Sequence, residues 1–169
     1  MIVPGAIALP ESTKARLKEQ VKSLDLAIDK IFTRFEYYVY SEEPLSDQQR
    51  AAVTEFLTRD VKLKDIQIAR HDVELRILPR LGTISPWASK ATDLARNCGV
   101  EGISRIERGI YMALTPEKSF WSGSGLKDEH LQKFIKLVHD RMSQTVVVGD
   151  EFNPQALFVD LEPKPLRTV

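Results

Sequence analysis

Between Gly82 and Gly109 the chain gathers hydroxyls, cations and a carboxylate into one short stretch. Thr83 and Ser85 stand just before Pro86. Ser89, Lys90, Thr92, Asp93 and Asn97 follow at helical spacings, and Arg105 and Arg108 lie on the next segment. Ser85 followed by Pro86 reads as a helix N-cap and first helical residue, and Gly99 closes that helix because glycine takes the left-handed conformation at least cost. The free amides and positive dipole end of such a helix favour an anion, so Thr83 and Ser85 are candidates to hold a phosphate or carboxylate. The competing reading is structural, with Ser85 only a cap and Ser89 and Thr92 facing water, and composition alone favours it.

Ala88, Ala91, Ala95 and Cys98 form a small-residue face that lets this helix approach a sheet closely, flanked by Trp87 and Leu94. The opposite face holds Ser89, Lys90, Thr92, Asp93, Arg96 and Asn97. On the following segment Ile106, Arg108, Ile110, Met112 and Leu114 point one way, and Arg105, Glu107, Gly109 and Tyr111 the other. Arg108 therefore interrupts an apolar face. A guanidinium so placed needs a fixed partner; the expectation is a structural pair with Asp93, the alternative a partner outside this domain.

No catalytic set emerges and none is expected, nor is a metal site. His71, His130 and His139 lack metal-ligand spacing, and Cys98 has no cations nearby to lower its pKa and reads as packed. No phosphate-binding glycine motif is present, and the pairs Glu42-Glu43 and Asp150-Glu151 read as solvated loop charges. With 24 basic and 24 acidic residues the formal charge is zero, so no field gathers nucleic acid. Glu74 breaks up the cations Arg76 and Arg80, and no interleaved aromatics accompany them. A single cysteine precludes an intrachain disulfide and fits a reducing compartment. No charged leader is visible and no apolar run approaches the roughly 18 residues of a membrane span. The expectation is a soluble, cytoplasmic protein with neither membrane nor nucleic acid as partner.

Stepping outward from this stretch, Leu17, Val21 and Leu24 recur at helical spacing and predict a helix over 11–26. Ile31, Thr33, Phe35, Tyr37 and Val39 alternate along a strand over 31–40. Ser46-Asp-Gln-Gln49 forms a capping box for a helix over 46–58 whose buried stripe is Val53, Phe56 and Leu57. Strands are expected at 73–79 and 103–114, a helix at 128–142 through Leu131, Phe134, Ile135, Val138 and Met142, and closing strands at 145–148 and 156–161. The order strand, helix, long strand, helix recurs with an offset of roughly 75–80 residues. Gly5-Ala-Ile7 ahead of Pro10 and Ser12-Thr-Lys14 echoes Gly82-Thr-Ile84 ahead of Pro86 and Ser89-Lys90. An internal duplication would give an α+β chain of two pseudo-twofold-related halves, about 1–72 and 73–162, each with an antiparallel-rich sheet covered by two helices; coincidence of short elements is the alternative reading.

The run Gly82-Thr-Ile-Ser-Pro-Trp-Ala-Ser-Lys-Ala-Thr-Asp93, then Asn97-Cys-Gly99 and Arg105-Ile-Glu-Arg-Gly109, closely resembles the N-terminal domain of the large single-chain phosphoribosylformylglycinamidine synthases. The likeness extends through Pro44-Leu-Ser46, Asp140-Arg-Met142 and Pro163-Lys-Pro165, nearly the whole chain. Where that family usually shows two serines after the tryptophan, this chain has Ala88-Ser89, which puts a role for the first hydroxyl in doubt.

The resemblance implies an enzyme of purine biosynthesis, a carbon–nitrogen ligase that uses ATP, magnesium and glutamine-derived ammonia to convert formylglycinamide ribonucleotide to its amidine. It implies a longer polypeptide, with a linker starting at 163–169 and synthetase and glutaminase domains that carry the catalysis. By that likeness the present chain is an excised PurS-like domain with no cofactor of its own, resembling a fused pair of small PurS-type subunits. Its implied role is architectural: it docks the synthetase and glutaminase parts and helps enclose the ammonia path. The expected interface or substrate-proximal residues are Thr83, Ser85, Ser89, Lys90, Thr92, Asp93, Asn97, Arg105 and Arg108. Two alternatives stay open: phosphate or ribose contacts given to the synthetase site, and a free-standing anion-binding module.

Overall fold

The computed structural model describes residues 1–23, 28–59, 61–62, 73–117, 128–149 and 152–159. Along these the elements run β1 (Ile2–Pro4), α1 (Glu11–Lys22), β2 (Ile28–Tyr40), α2 (Asp47–Thr58), β3 (Val73–Pro79), α3 (Pro86–Asn97), β4 (Arg105–Pro116), α4 (Asp128–Val138) and β5 (Gln144–Val148). The strands form one sheet in the order β1-β2-β4-β3-β5, antiparallel at every pairing. The chain is thus α+β with an antiparallel sheet, and the strands of both expected halves share that sheet.

The central pair is β2 with β4, in register from Tyr40 opposite Arg105 to Lys30 opposite Thr115. Alternation sends Ile31, Tyr37 and Val39 of β2, and Ile106, Met112 and Leu114 of β4, to one face, hereafter the front. All four of these helices pack there, in two pairs. Leu17 and Val21 of α1 and Leu131, Phe134 and Ile135 of α4 bury against Ile31, Leu75, Ile77, Met112 and Leu114. Val53 of α2 and Ala95 of α3 bury against Val3, Val39 and Ile106 at the other end. On the back face Tyr38 and Leu78 are covered by Leu157, with Phe152 and Phe158 beside them.

Local signals account for the helix starts. The Ser46 hydroxyl accepts from the Gln49 amide at 3.3 Å and the Gln49 side chain accepts from the Ser46 amide at 2.9 Å, closing the capping box. Ser85 caps α3, with Pro86 at its first position. Beyond α3, Gly99 and Gly102 take φ of 79° and 80°. At Gly102 an added Cβ would lie 2.6 Å from the Gln49 Nε2, so the turn into β4 leans on the α2 capping box. Gly102→Ala is expected to lower the unfolding free energy by at least about 1 kcal/mol through left-handed strain alone; chemical denaturation with an unchanged m-value would show it.

Several boundaries differ from expectation. Helix α1, expected to reach residue 26, ends at Lys22 with Ser23 as its C-cap, and β4 runs Arg105–Pro116 where 103–114 was expected. β2 begins at Ile28, extending the expected strand. Helix α4 stops at Val138, because the Asp140 carboxylate accepts from the Met142 amide and the Ser143 hydroxyl, 2.9 and 2.8 Å away, and draws 141–143 into a turn. Met142 is consequently 77% exposed instead of continuing the buried stripe. The expected strand at 156–161 is a short 3-10 turn, Pro154–Leu157, because the Asn153 side chain caps the Gln155 amide and Pro154 opens the turn. Residues 24–26, His71, Asp150-Glu151, 160–161 and the tail from Pro163 lie outside the described residues.

Candidate functional site

The loop leaving β3 runs beside the start of β4 and delivers Ser85 to Glu107, which is fully buried. Glu107 accepts from the Ser85 amide at 3.1 Å and from the Ser85 hydroxyl at 2.6 Å, while that hydroxyl accepts from the Ala88 amide at 3.0 Å. The α3 N-terminus therefore already has its anion, supplied by the chain itself. Arg105 neutralises it, its Nε 3.0 Å from a Glu107 oxygen, and also donates to the Thr83 carbonyl while stacking 5.6 Å from the Phe158 ring. The Thr83 hydroxyl donates to the Arg80 carbonyl at 2.6 Å.

Along α3 the buried line is Ala88, Thr92 and Ala95. Thr92 does not face water: its hydroxyl accepts the Ile106 amide at 3.0 Å and ties the helix to β4. Ser89, Lys90, Asp93 and Asn97 are exposed on the outer surface. Cys98 is exposed rather than packed, because the helix has ended at Asn97 and the Cys98 backbone turns away toward Gly99. Leu94 is also exposed, at 56%.

The expected Arg108–Asp93 pair is absent. Asp93 points away from the sheet and lies 4.0 Å from Arg96 on its own helix, whereas Arg108 sits on the front of β4. There its guanidinium carbon is 4.5 Å from the Phe35 ring centre and 4.7 Å from that of Trp87, and Trp87 stacks at 5.7 Å on Tyr37. Two aromatic faces hold the cation where a carboxylate was expected. No described residue hydrogen-bonds or ion-pairs with it.

Arg108 forms part of the floor of an open cleft on the front of the sheet, beside the start of α3, with a volume of about 410 Å³. Phe35, Ile77 and Ile110 complete the floor, Pro86 and Trp87 form one wall, and Pro79, Ser143 and Gln144 line the β3–β5 side. Ile84 and Met142, 58% and 77% exposed, are the lips. A narrower groove of about 170 Å³ continues over Ile77 and Ile110 toward Leu17 of α1 and Leu137 of α4. Among the described residues, the lining of this 410 Å³ cleft carries two arginines, Arg80 and Arg108, and no carboxylate.

The back face carries charge as well, but paired. Arg34 lies 3.0 Å from Glu36, whose other oxygen accepts from the Tyr38 hydroxyl at 2.8 Å and sits 3.4 Å from Arg76. Burial first, and then the Glu36 carboxylate, push the Tyr38 phenol far above its ordinary value; burial and Glu74 do the same to Tyr111. A raised folded pKa means stability contributed below the unfolded tyrosine value of about 10 and lost as pH rises beyond it. We expect denaturant stability to fall above about pH 10, and Tyr38 and Tyr111 to ionise only on unfolding. Phenolate absorbance followed alongside backbone circular dichroism checks this; ionisation of all four tyrosines in the folded chain would contradict it.

Sequence reasoning missed Glu107 as the partner of α3, although its alternation with Arg105 on one strand face was a signal. It also missed Phe35, Ile84, Arg80 and Met142 as cleft residues, since nothing local marks them. Among the described residues no cluster of three or more His, Cys, Asp or Glu could hold a metal ion, and no helix is long and apolar enough to cross a membrane.

The fold and cleft define an α+β domain with an antiparallel sheet, its helices on one face and an open, cationic cleft beside the start of α3. The sequence pattern of the formylglycinamide ribonucleotide amidotransferase N-terminal family matches residues 34–158, and the chain belongs to that family. This places it with the formylglycinamide ribonucleotide amidotransferase of purine biosynthesis.

Proposed function

We propose that this chain is the non-catalytic assembly domain of phosphoribosylformylglycinamidine synthase, acting in the cytoplasm to dock the synthetase and glutaminase parts of the enzyme. The observation that carries this is the front cleft, where two exposed apolar lips, Ile84 and Met142, flank Trp87 and Arg108. Methionine, tryptophan and arginine are the side chains enriched where proteins bury surface against each other. Ser89, Lys90, Asp93 and Asn97 on the exposed side of α3 would border the docked surface, while Ser85, Thr92 and Arg105 hold its shape. Docking there would help seal an ammonia path, which matters because ammonia reaching water at neutral pH is protonated and loses its nucleophilic lone pair.

ATP and magnesium belong, on this reading, to other parts of the synthase. We read the strand-helix-strand-helix order of β1 to α2, recurring in β3 to α4 around the central β2–β4 pair, as support for duplication of two units, about 1–72 and 73–162.

In the complete synthase, Ile84→Asp combined with Met142→Asp is expected to cut glutamine-dependent turnover about tenfold or more. Turnover with added ammonia should stay near the wild-type rate, because the synthetase chemistry is untouched. Full glutamine-dependent turnover in this variant would refute the docking role. One observation favours a second reading: the edge of Arg108 is open to a substrate phosphate, and a substrate KM raised equally in both assays would select that role instead. A free-standing anion module has less support, since the hydroxyls of Thr83 and Ser85 are already engaged.

A further inference from the structure

Resting on the docking reading, we infer that the cleft is built to receive one acidic side chain, an aspartate or glutamate flanked by apolar residues, from the part of the synthase that covers it. Arg108 is the anchor. Its guanidinium carbon lies over the Phe35 and Trp87 rings, 4.5 and 4.7 Å from their centres, and its N–H donors have no hydrogen-bond or ion-pair partner among the described residues. A guanidinium held over aromatic rings keeps its N–H fork, and that fork matches the two oxygens of a carboxylate.

Three further observations fix the kind of partner. Arg80 adds a second cation to the lining and no described carboxylate lines the cleft beside either, so the described lining complements negative charge. Around this charge the surface is apolar: the floor is Ile77 and Ile110, and the lips are Ile84 and Met142. A small anion bound at Arg108 would leave both lips in water, whereas a peptide segment would cover them and its acidic side chain at once. Finally, the other buried or half-buried acidic groups of the sheet are already held, Glu107 by Arg105 and Ser85 and Glu36 by Arg34, Arg76 and Tyr38. Glu74 likewise lies 3.8 Å from Arg76, so among the described residues no acidic group of the sheet is left for Arg108.

The test uses the complete synthase carrying Arg108→Glu, Arg108→Gln or Arg108→Lys, with the thermal midpoint of each measured so that misfolding is not mistaken for lost docking. Arg108→Glu and Arg108→Gln are expected to fold and to lose about tenfold or more of glutamine-dependent turnover. Arg108→Lys should recover only part, because a lysine keeps the charge but not the fork. Reversal of one Asp or Glu on the covering part to Arg should restore Arg108→Glu by about tenfold. Wild-type turnover by Arg108→Glu, or the lack of any restoring reversal, would overturn the inference. Inorganic phosphate titrated into the 169-residue chain carrying Trp121→Phe, which leaves Trp87 as its one tryptophan, supplies the other arm, with fluorescence as the reporter. Saturable binding that Arg108→Gln abolishes would mean a free anion is the ligand and would also overturn it. Loss of coupling on changing Ile84 and Met142, with Arg108→Glu neutral, would leave the docking role standing and remove the carboxylate.

Discussion

Replacing Glu107 with alanine is expected to lower the unfolding free energy of this chain by about 3–5 kcal/mol, the cost typical of removing one partner from a buried ion pair. Glu107 is fully buried, Arg105 keeps only 13% of its side chain exposed, and the Ser85 amide and hydroxyl both converge on the same carboxylate. Truncation would strand a guanidinium and an amide in a dry site. The damage should spread to the cleft wall, because Ser85 fixes the entry to α3 and hence Pro86 and Trp87. Glu107→Gln, which keeps the shape and an accepting oxygen, should cost less, about 1.5–3 kcal/mol. Urea denaturation measures both; an alanine variant within about 0.5 kcal/mol of the wild type would refute this account of the α3 entry.

Phe134→Ala is expected to cost a similar amount, about 3–5 kcal/mol, by loss of transfer free energy and by the cavity left behind. Phe134 is fully buried in the cluster that joins α1, α4 and the front of the sheet. Leu137, on the same helix but 42% exposed, provides the contrast. Leu137→Ala removes far less contact and should fall within about 1 kcal/mol of wild type. Equal losses at both positions would mean that α4 is not seated as described. Because α4 leads into the Asp140 turn that carries Met142, Phe134→Ala should also loosen one lip of the cleft.

Most of the fold was legible in the sequence wherever the signal was local. The capping box at Ser46 and Gln49, the Ser85-Pro86 start and the alternation along Arg105 to Leu114 each depend on neighbours a few residues apart, and the structure shows all of them. The site was less legible because its key relations are long-range. Ser85 and Glu107 meet across 22 residues, and Arg108 meets Phe35 through the β2–β4 register. The helical period that ran on to Met142 was real, but an Asx-type turn at Asp140 overrode it, and composition could not weigh the two. Arg108 was correctly singled out as a cation on an apolar face. Its partner was wrongly assigned to Asp93, although Ala88 and Ala95 already read as the sheet-facing side of α3 and Asp93 as the opposite one; charge complementarity outweighed helix phase in that expectation.

The central claim, that the cleft is covered when the synthase is assembled, is tested most directly by oxidation at Met142. Its side chain is 77% exposed in this chain and should convert readily to the sulfoxide, with Met1, 39% exposed, as a reference in the same sample. In the complete synthase Met142 should react about tenfold more slowly relative to its rate in the 169-residue chain. Equal rates in the two would contradict the account.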